Sequence, residues 1–290
     1  MKAKTILRER QAGDRFDGDS AKGCIALYRA TGEKEYRDEA LSYADSGVLS
    51  EATVHLRDPV QAAFSFGKAF LFAYEETKNE RFLAVAKTLR EALRTSGLST
   101  PRELYMTQPF IAEYDTRFGD RQSYKTIART FGGTVHPGGE GRPFYQRVCA
   151  LPEERELYPL KQAGYMLMAA VDTVEQMDIQ LYEHYRVLAD LFLETVRGLM
   201  PYRLAGTGLF SREITDQDEP DIEGSLMAVY ALFKGVRLGL LDEEKYLPIA
   251  DEMRYCLESV CNTLVCFAEF PAGAGLRLMA EAEIREAGIR

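Results

Sequence analysis

The chain contains no tryptophan, only three histidines and five cysteines in 290 residues. Any aromatic platform must therefore be built from its 16 tyrosines and 15 phenylalanines. The histidines show no pairing at i+3 or i+4, the spacing that would set two ligands before one metal ion on a helix. Cys24, Cys149, Cys256, Cys261 and Cys266 form an odd, scattered set, and the last three match neither a zinc spacing nor a disulfide framework. Buried reduced thiols are the expected state, and no metal site is expected.

Positive charge is also in short supply. Lysine and arginine number 36 against 45 aspartates and glutamates, a formal charge of −9 with pI near 5.1. Phosphate binding needs a basic surface, so a nucleic-acid partner is excluded. No stretch approaches the roughly 20 apolar residues that cross a bilayer, so no membrane partner is expected. The opening Met1-Lys2-Ala3-Lys4-Thr5-Ile6-Leu7 has basic residues but lacks the apolar segment of a signal peptide, which predicts a cytoplasmic location.

What the chain does have is a 46% hydrophobic content, enough to bury a substantial core, and a recurring fingerprint. An aromatic residue is followed four positions later by alanine at Tyr36/Ala40, Phe82/Ala86, Tyr124/Ala128, Tyr185/Ala189 and Tyr246/Ala250. That spacing sets ring and small residue on one helix face, where a neighbouring helix can approach the ring. Tyr28 to Tyr36 and Tyr74 to Phe82 echo one another as a helix end, a polar turn and a new helix start. Thr100-Pro101-Arg102-Glu103 combines a threonine cap, proline at the first helical position and glutamate at the third. It predicts a helix running to about Phe118.

Further helices are expected over 65–74, 82–93, 123–131, 160–177, 183–200, 224–238, 245–261 and 274–287. Tyr182, His184 and Tyr185 are assigned to helix packing. Two stretches break the pattern. Residues 132–157 hold five glycines and three prolines, and residues 201–223 hold Gly206, Gly208 and an acidic run from Glu213 to Glu223. Charge runs normally face water, and Asp221 and Glu223 stand where they could cap the next helix. Helical hairpins repeated at 42 to 61 residues with such insertions predict an all-α, closed (α/α)6 toroid, one domain spanning 1–290.

Three stretches then point to a family. Glu103-Leu104-Tyr105-Met106-Thr107-Gln108-Pro109-Phe110 resembles a run of aspartate, apolar, aromatic, Met, two variable residues and Pro-Phe. Gly208-Leu209-Phe210-Ser211-Arg212, then Asp221-Ile222-Glu223-Gly224-Ser225-Leu226-Met227, and Ala231 to Gly239 resemble consecutive motifs of the same family. Gly273 to Ala280 is similar to its Gly-rich ring-closing helix. The family is that of the unsaturated glucuronyl and rhamnogalacturonyl hydrolases, glycoside hydrolase families 88 and 105. The resemblance implies a small oligosaccharide substrate whose terminal uronic acid carries a C4=C5 double bond. It implies an acid that protonates C4 while water adds at C5, and no metal or cofactor. One carboxyl can shuttle that proton as acid and then base.

Carried over position by position, the family's acid falls at Arg102 or Glu103. Glu103 has two compatible readings, helix cap and catalytic acid, and Arg102 joins the substrate-binding candidates. Asp58 is the nearest counterpart of an earlier family aspartate, or the start of a turn before Pro59. His136 falls where the family has a pocket histidine and is the second catalytic candidate, against a loop-packing role. A tryptophan- and arginine-bearing family motif aligns with residues 159–165, so Lys161 replaces the arginine and Tyr165 an indole. Lysine keeps the charge but not the bidentate fork. Tyr105, Tyr165 and Phe210 are the candidate sugar platforms. Arg142, Lys161 and Arg212 are candidates for the substrate carboxylate, or else solvated surface charges. The rival expectation is a catalytically degenerate barrel that binds a carbohydrate or serves as an interaction scaffold.

Overall fold

The computed structural model describes residues 17–49, 58–98, 100–134, 159–211, 220–263 and 273–288. The chain clusters into two compact units, Met1–Ser96 with Cys261–Arg290, and Gly97–Val260. Among the described residues no helix is long and apolar enough to cross a membrane.

In the first unit, α1 (Gly18–Thr31) and α2 (Lys34–Leu49) form a hairpin. A short α3 (Pro59–Ala62) continues through a π-helical turn, Ala63–Gly67, into α4 (Lys68–Thr77), and α5 (Glu80–Ala92) follows. The sequence echo is a structural one. Gly32 closes α1 at φ 71° and Lys78 closes α4 at φ 55°, each N–H returning to the carbonyl four residues back, Tyr28 or Tyr74. The last helix, α12 (Gly273–Glu286), belongs to the same unit and packs along α1. Cys24, Ile25, Leu27, Tyr36, Ala40, Phe72, Leu278 and Ala282 form one core cluster there. Contact between α1 and α12 is close. A Cβ on Gly275 would lie 2.5 Å from the Ser20 backbone nitrogen, and one on Gly23 2.5 Å from Leu278 Cβ.

The second unit holds α6 (Pro101–Phe118), α7 (Tyr124–Thr134), α8 (Pro159–Gln176), α9 (Tyr182–Leu199), α10 (Ile222–Arg237) and all but the last turn of α11 (Glu243–Thr263). Helices α6, α8 and α10 run parallel, as their paired contacts show. Near their starts, the Tyr105 and Tyr165 rings of α6 and α8 meet, and Lys161 of α8 meets Glu223 of α10. Near their ends, Thr116 Oγ1 of α6 donates to the Gln176 carbonyl at 2.8 Å, and Asp172 of α8 meets Lys234 of α10. These three helices bury both flanks, α8 from Met166 to Val174 and α10 from Gly224 to Gly235.

Connections at the carboxyl ends of α6, α8 and α10 are short, residues 119–123, 177–181 and 238–242. The two long insertions enter at the other end. In the chain, residues 135–158 separate α7 from α8, and residues 200–221 separate α9 from α10.

The aromatic-alanine fingerprint is seated as expected at Tyr36/Ala40, Phe82/Ala86 and Tyr246/Ala250, all buried. Tyr124 is buried too, but its hydroxyl also lies 2.6 Å from Thr116 Oγ1 and accepts the Asp178 N–H at 2.6 Å. Tyr182 departs from its packing assignment, since 57% of it is exposed. It is the first residue of α9, before the helix turns its face inward. Cys24 is buried and Cys256 half-buried, both as free thiols.

Candidate functional site

The site is built where α6, α8 and α10 of the second unit begin. Thr100 accepts the Glu103 N–H on its hydroxyl at 3.2 Å, and Glu103 Oε2 accepts the Thr100 N–H at 3.0 Å. The expected capping box is therefore present, and it fixes the Glu103 carboxylate over the first turn. Thr107 and Gln108, one turn on, are buried; Thr107 Oγ1 donates to the Glu103 carbonyl at 2.8 Å. Arg102 lies on the exposed side of this turn.

Tyr105 and Tyr165 are in contact across α6 and α8, ring centroids 6.0 Å apart and planes inclined by 37°. Tyr105 is buried, whereas Tyr165 is only partly covered. Of the two rings, Tyr165 is the one a ligand can reach, and the assignment of Tyr105 as a sugar platform is corrected. Lys161 stands one helical turn before Tyr165, and its Nζ lies 2.5 Å from Glu223 Oε2. Its expected role as a carboxylate holder is thus already filled by a carboxylate of the chain itself.

Helix α10 is capped by Asp221, whose Oδ1 accepts the Gly224 N–H at 2.9 Å. Glu223 does not share that cap. Phe210 is tied to the same turn: its N–H donates to Ser225 Oγ at 3.0 Å and its carbonyl accepts the Asp221 N–H at 2.8 Å. The Phe210 ring is only 2% exposed, so its assignment as a sugar platform is corrected. It anchors the insertion to α10. Two polar atoms at this end, Gln162 Oε1 and Ser211 Oγ, are buried without a hydrogen-bond partner.

Asp58 is in the first unit, exposed, and caps α3 by accepting the Gln61 N–H at 2.9 Å. The turn-forming reading of Asp58 is the one its geometry supports. His136, Arg142 and Arg212 lie outside the described residues. The site thus brings together Glu103, Tyr105, Lys161 and Tyr165 at one end of parallel helices. Sequence reasoning missed Glu223 as the partner of Lys161 and Gln162 beside it. Glu223 is 62 residues away from Lys161, and only the parallel course of α8 and α10 brings them together. Among the described residues, no group of three or more His, Cys, Asp or Glu side chains is placed to hold a metal ion.

No family model matches the chain. Solved structures do. A glycoside hydrolase from family 105 of C. acetobutylicum ATCC 824 aligns with TM-score 0.78 and 18% identity over 97% of both chains. A family 88 glycosyl hydrolase from Bacteroides vulgatus aligns with TM-score 0.76 and 14% identity over 98% of this chain and 99% of its own. A polysaccharide lyase aligns with TM-score 0.72 and 14% identity over 98% and 95% of the two chains. The likeness establishes the fold, the all-helical (α/α)6 toroid expected from the hairpin repeats. Hydrolase and lyase chemistry share that fold, so activity must be argued from the site.

Proposed function

We propose that this protein is a glycoside hydrolase acting on small oligosaccharides that end in an unsaturated uronic acid. The observation that carries the reading is the gathering of an acid, a cation and an accessible ring at the starts of two parallel helices, α6 and α8. Glu103, Lys161 and Tyr165 supply them. Helix starts concentrate positive potential, which suits a ligand bearing a carboxylate.

In the reaction, Glu103 gives a proton to C4 of the enol ether from Oε1, the oxygen outside the capping box. Water adds at C5 as its proton passes to the carboxylate, so the acid is restored in one cycle. The resulting hemiketal opens and releases the remaining sugar. Tyr165 is the stacking surface, Lys161 holds the uronate and Gln162 offers an acceptor to a sugar hydroxyl. The family resemblance implies a second catalytic role for His136 and a carboxylate-binding role for Arg142.

Turnover is read directly as loss of the enol-ether absorbance with disaccharides made by a polysaccharide lyase. Glu103→Gln should abolish it while preserving the helix start, because the amide oxygen still accepts the Thr100 N–H. Equal activity in the variant removes Glu103 from the mechanism. A second reading is favoured by two facts: Glu103 is engaged in a cap and Lys161 in an ion pair. It makes the protein a carbohydrate-binding barrel without turnover, and calorimetry showing uronide binding with no product would establish it.

A further inference from the structure

We propose that Glu223 is a resident stand-in for the substrate carboxylate, and that a uronide binds by displacing it from Lys161. The inference rests on the site reading above and names the residue that sets its affinity.

Lys161 is the third residue of α8, where the positive end of the helix disfavours a cation. A lysine there is held by a counter-charge, and the structure supplies one. Glu223 Oε2 sits 2.5 Å from its Nζ, a charge-assisted contact reaching from α10 to α8. The pair is accessible: the Lys161 side chain is 33% exposed and that of Glu223 13%. The two other acids on these first turns have backbone duties, Glu103 in its capping box and Asp221 at the head of α10. Glu223 is the one whose carboxylate can leave without uncapping a helix.

The chemistry of exchange is favourable on both sides. An ammonium is a point charge on a flexible stem, so one carboxylate can replace another without matching a rigid fork. Once released, Glu223 remains in the first turn of α10, where the helix end still stabilises its charge. A uronate arriving beside Tyr165 therefore finds a cation one helical turn away, occupied by a competitor of its own kind. A neutral sugar gains nothing from displacing it. The pair thereby selects for acidic sugars while keeping their affinity modest.

The test is Glu223→Gln, which removes the competing charge and leaves the Asp221 cap in place. With a lyase-made unsaturated disaccharide, KM should fall about fivefold with kcat unchanged, the scale of losing one partly exposed ion-pair competitor. Titration calorimetry with glucuronate, which is not turned over, should show the same gain. In a Lys161→Met background the substitution should produce no gain, because the competition acts through Lys161. An unchanged or raised KM in Glu223→Gln, or an equal gain without Lys161, overturns the inference while the hydrolase reading stands. Absence of both turnover and glucuronate binding in the parent protein and the variant overturns the two together.

Discussion

Lys234 reaches from α10 to Asp172 of α8, its Nζ 2.8 Å from Asp172 Oδ1, with both side chains over nine-tenths buried. The same ammonium lies 2.8 Å from the Tyr230 hydroxyl and 2.8 Å from Glu175 Oε2, and Arg237 closes the group on Glu175 at 2.5 Å. Three short contacts around one ammonium satisfy its donors, which is the condition for burying such a charge. The cluster fastens the carboxyl halves of α8 and α10, far along the helices from the Lys161–Glu223 pair.

Lys234→Met should therefore be costly. It leaves Asp172 buried without its cation, a loss of about 3 kcal/mol. A lower midpoint in urea checks it. Asp172→Leu combined with Lys234→Met should recover much of the loss, because no charge then remains buried.

Thr100→Ala should lower stability by about 1 kcal/mol through loss of the α6 cap. It removes the hydroxyl that accepts the Glu103 N–H and so loosens the turn that carries the carboxylate, while the backbone N–H of residue 100 is kept. If Glu103 is the proton donor, kcat should drop further than stability alone explains. Parallel urea melts and turnover measurements separate the two effects.

Tyr165→Ala should raise KM for the unsaturated disaccharide about tenfold, the scale of one aromatic contact of about 1.4 kcal/mol. Tyr165→Phe should keep KM near the parent value, since stacking needs the ring face. A steady-state comparison of the two variants checks it.

Two glycines should differ in tolerance. Gly275→Ala drives a methyl to within 2.5 Å of the Ser20 backbone and should destabilise by about 2 kcal/mol. Gly164→Ala meets the Met227 side chain, Sδ at 2.9 Å and Cβ at 3.2 Å, with the nearest backbone atom, the Gly224 oxygen, at 3.6 Å. Its cost should stay under about 1 kcal/mol. Thermal melts of the two variants give the comparison.

Much of the scaffold was legible in the residues. The Thr100–Glu103 capping box, the turns at Gly32 and Lys78 and the Asp221 cap follow from local rules, because all their partners lie within four residues. Most helix limits differ by a residue or two, as at Pro159–Gln176 against the expected 160–177, and the end of α7 differs by three. The start of α4 was different. Its helix begins at Pro59 and passes through the π-helical turn at Ala63–Gly67, and an extra residue in a turn leaves no mark in a 3.6-residue pattern. The candidate site was legible in part. Glu103, Lys161 and Tyr165 stood out through the motif resemblance, but Phe210 is buried and Lys161 is already paired. Those two facts depend on how α8 and α10 lie together, 62 residues apart in the chain, and no local rule reaches that far.

The contrast between short and long connections in the second unit has an evolutionary reading. Five-residue turns at one end hold each hairpin together, and altering them disturbs packing. At the opposite end stand Glu103, Lys161 and Tyr165, away from the Lys234 cluster that secures the grip between α8 and α10. Side chains at that end can change without renegotiating the interior, so new ligand preferences can arise there.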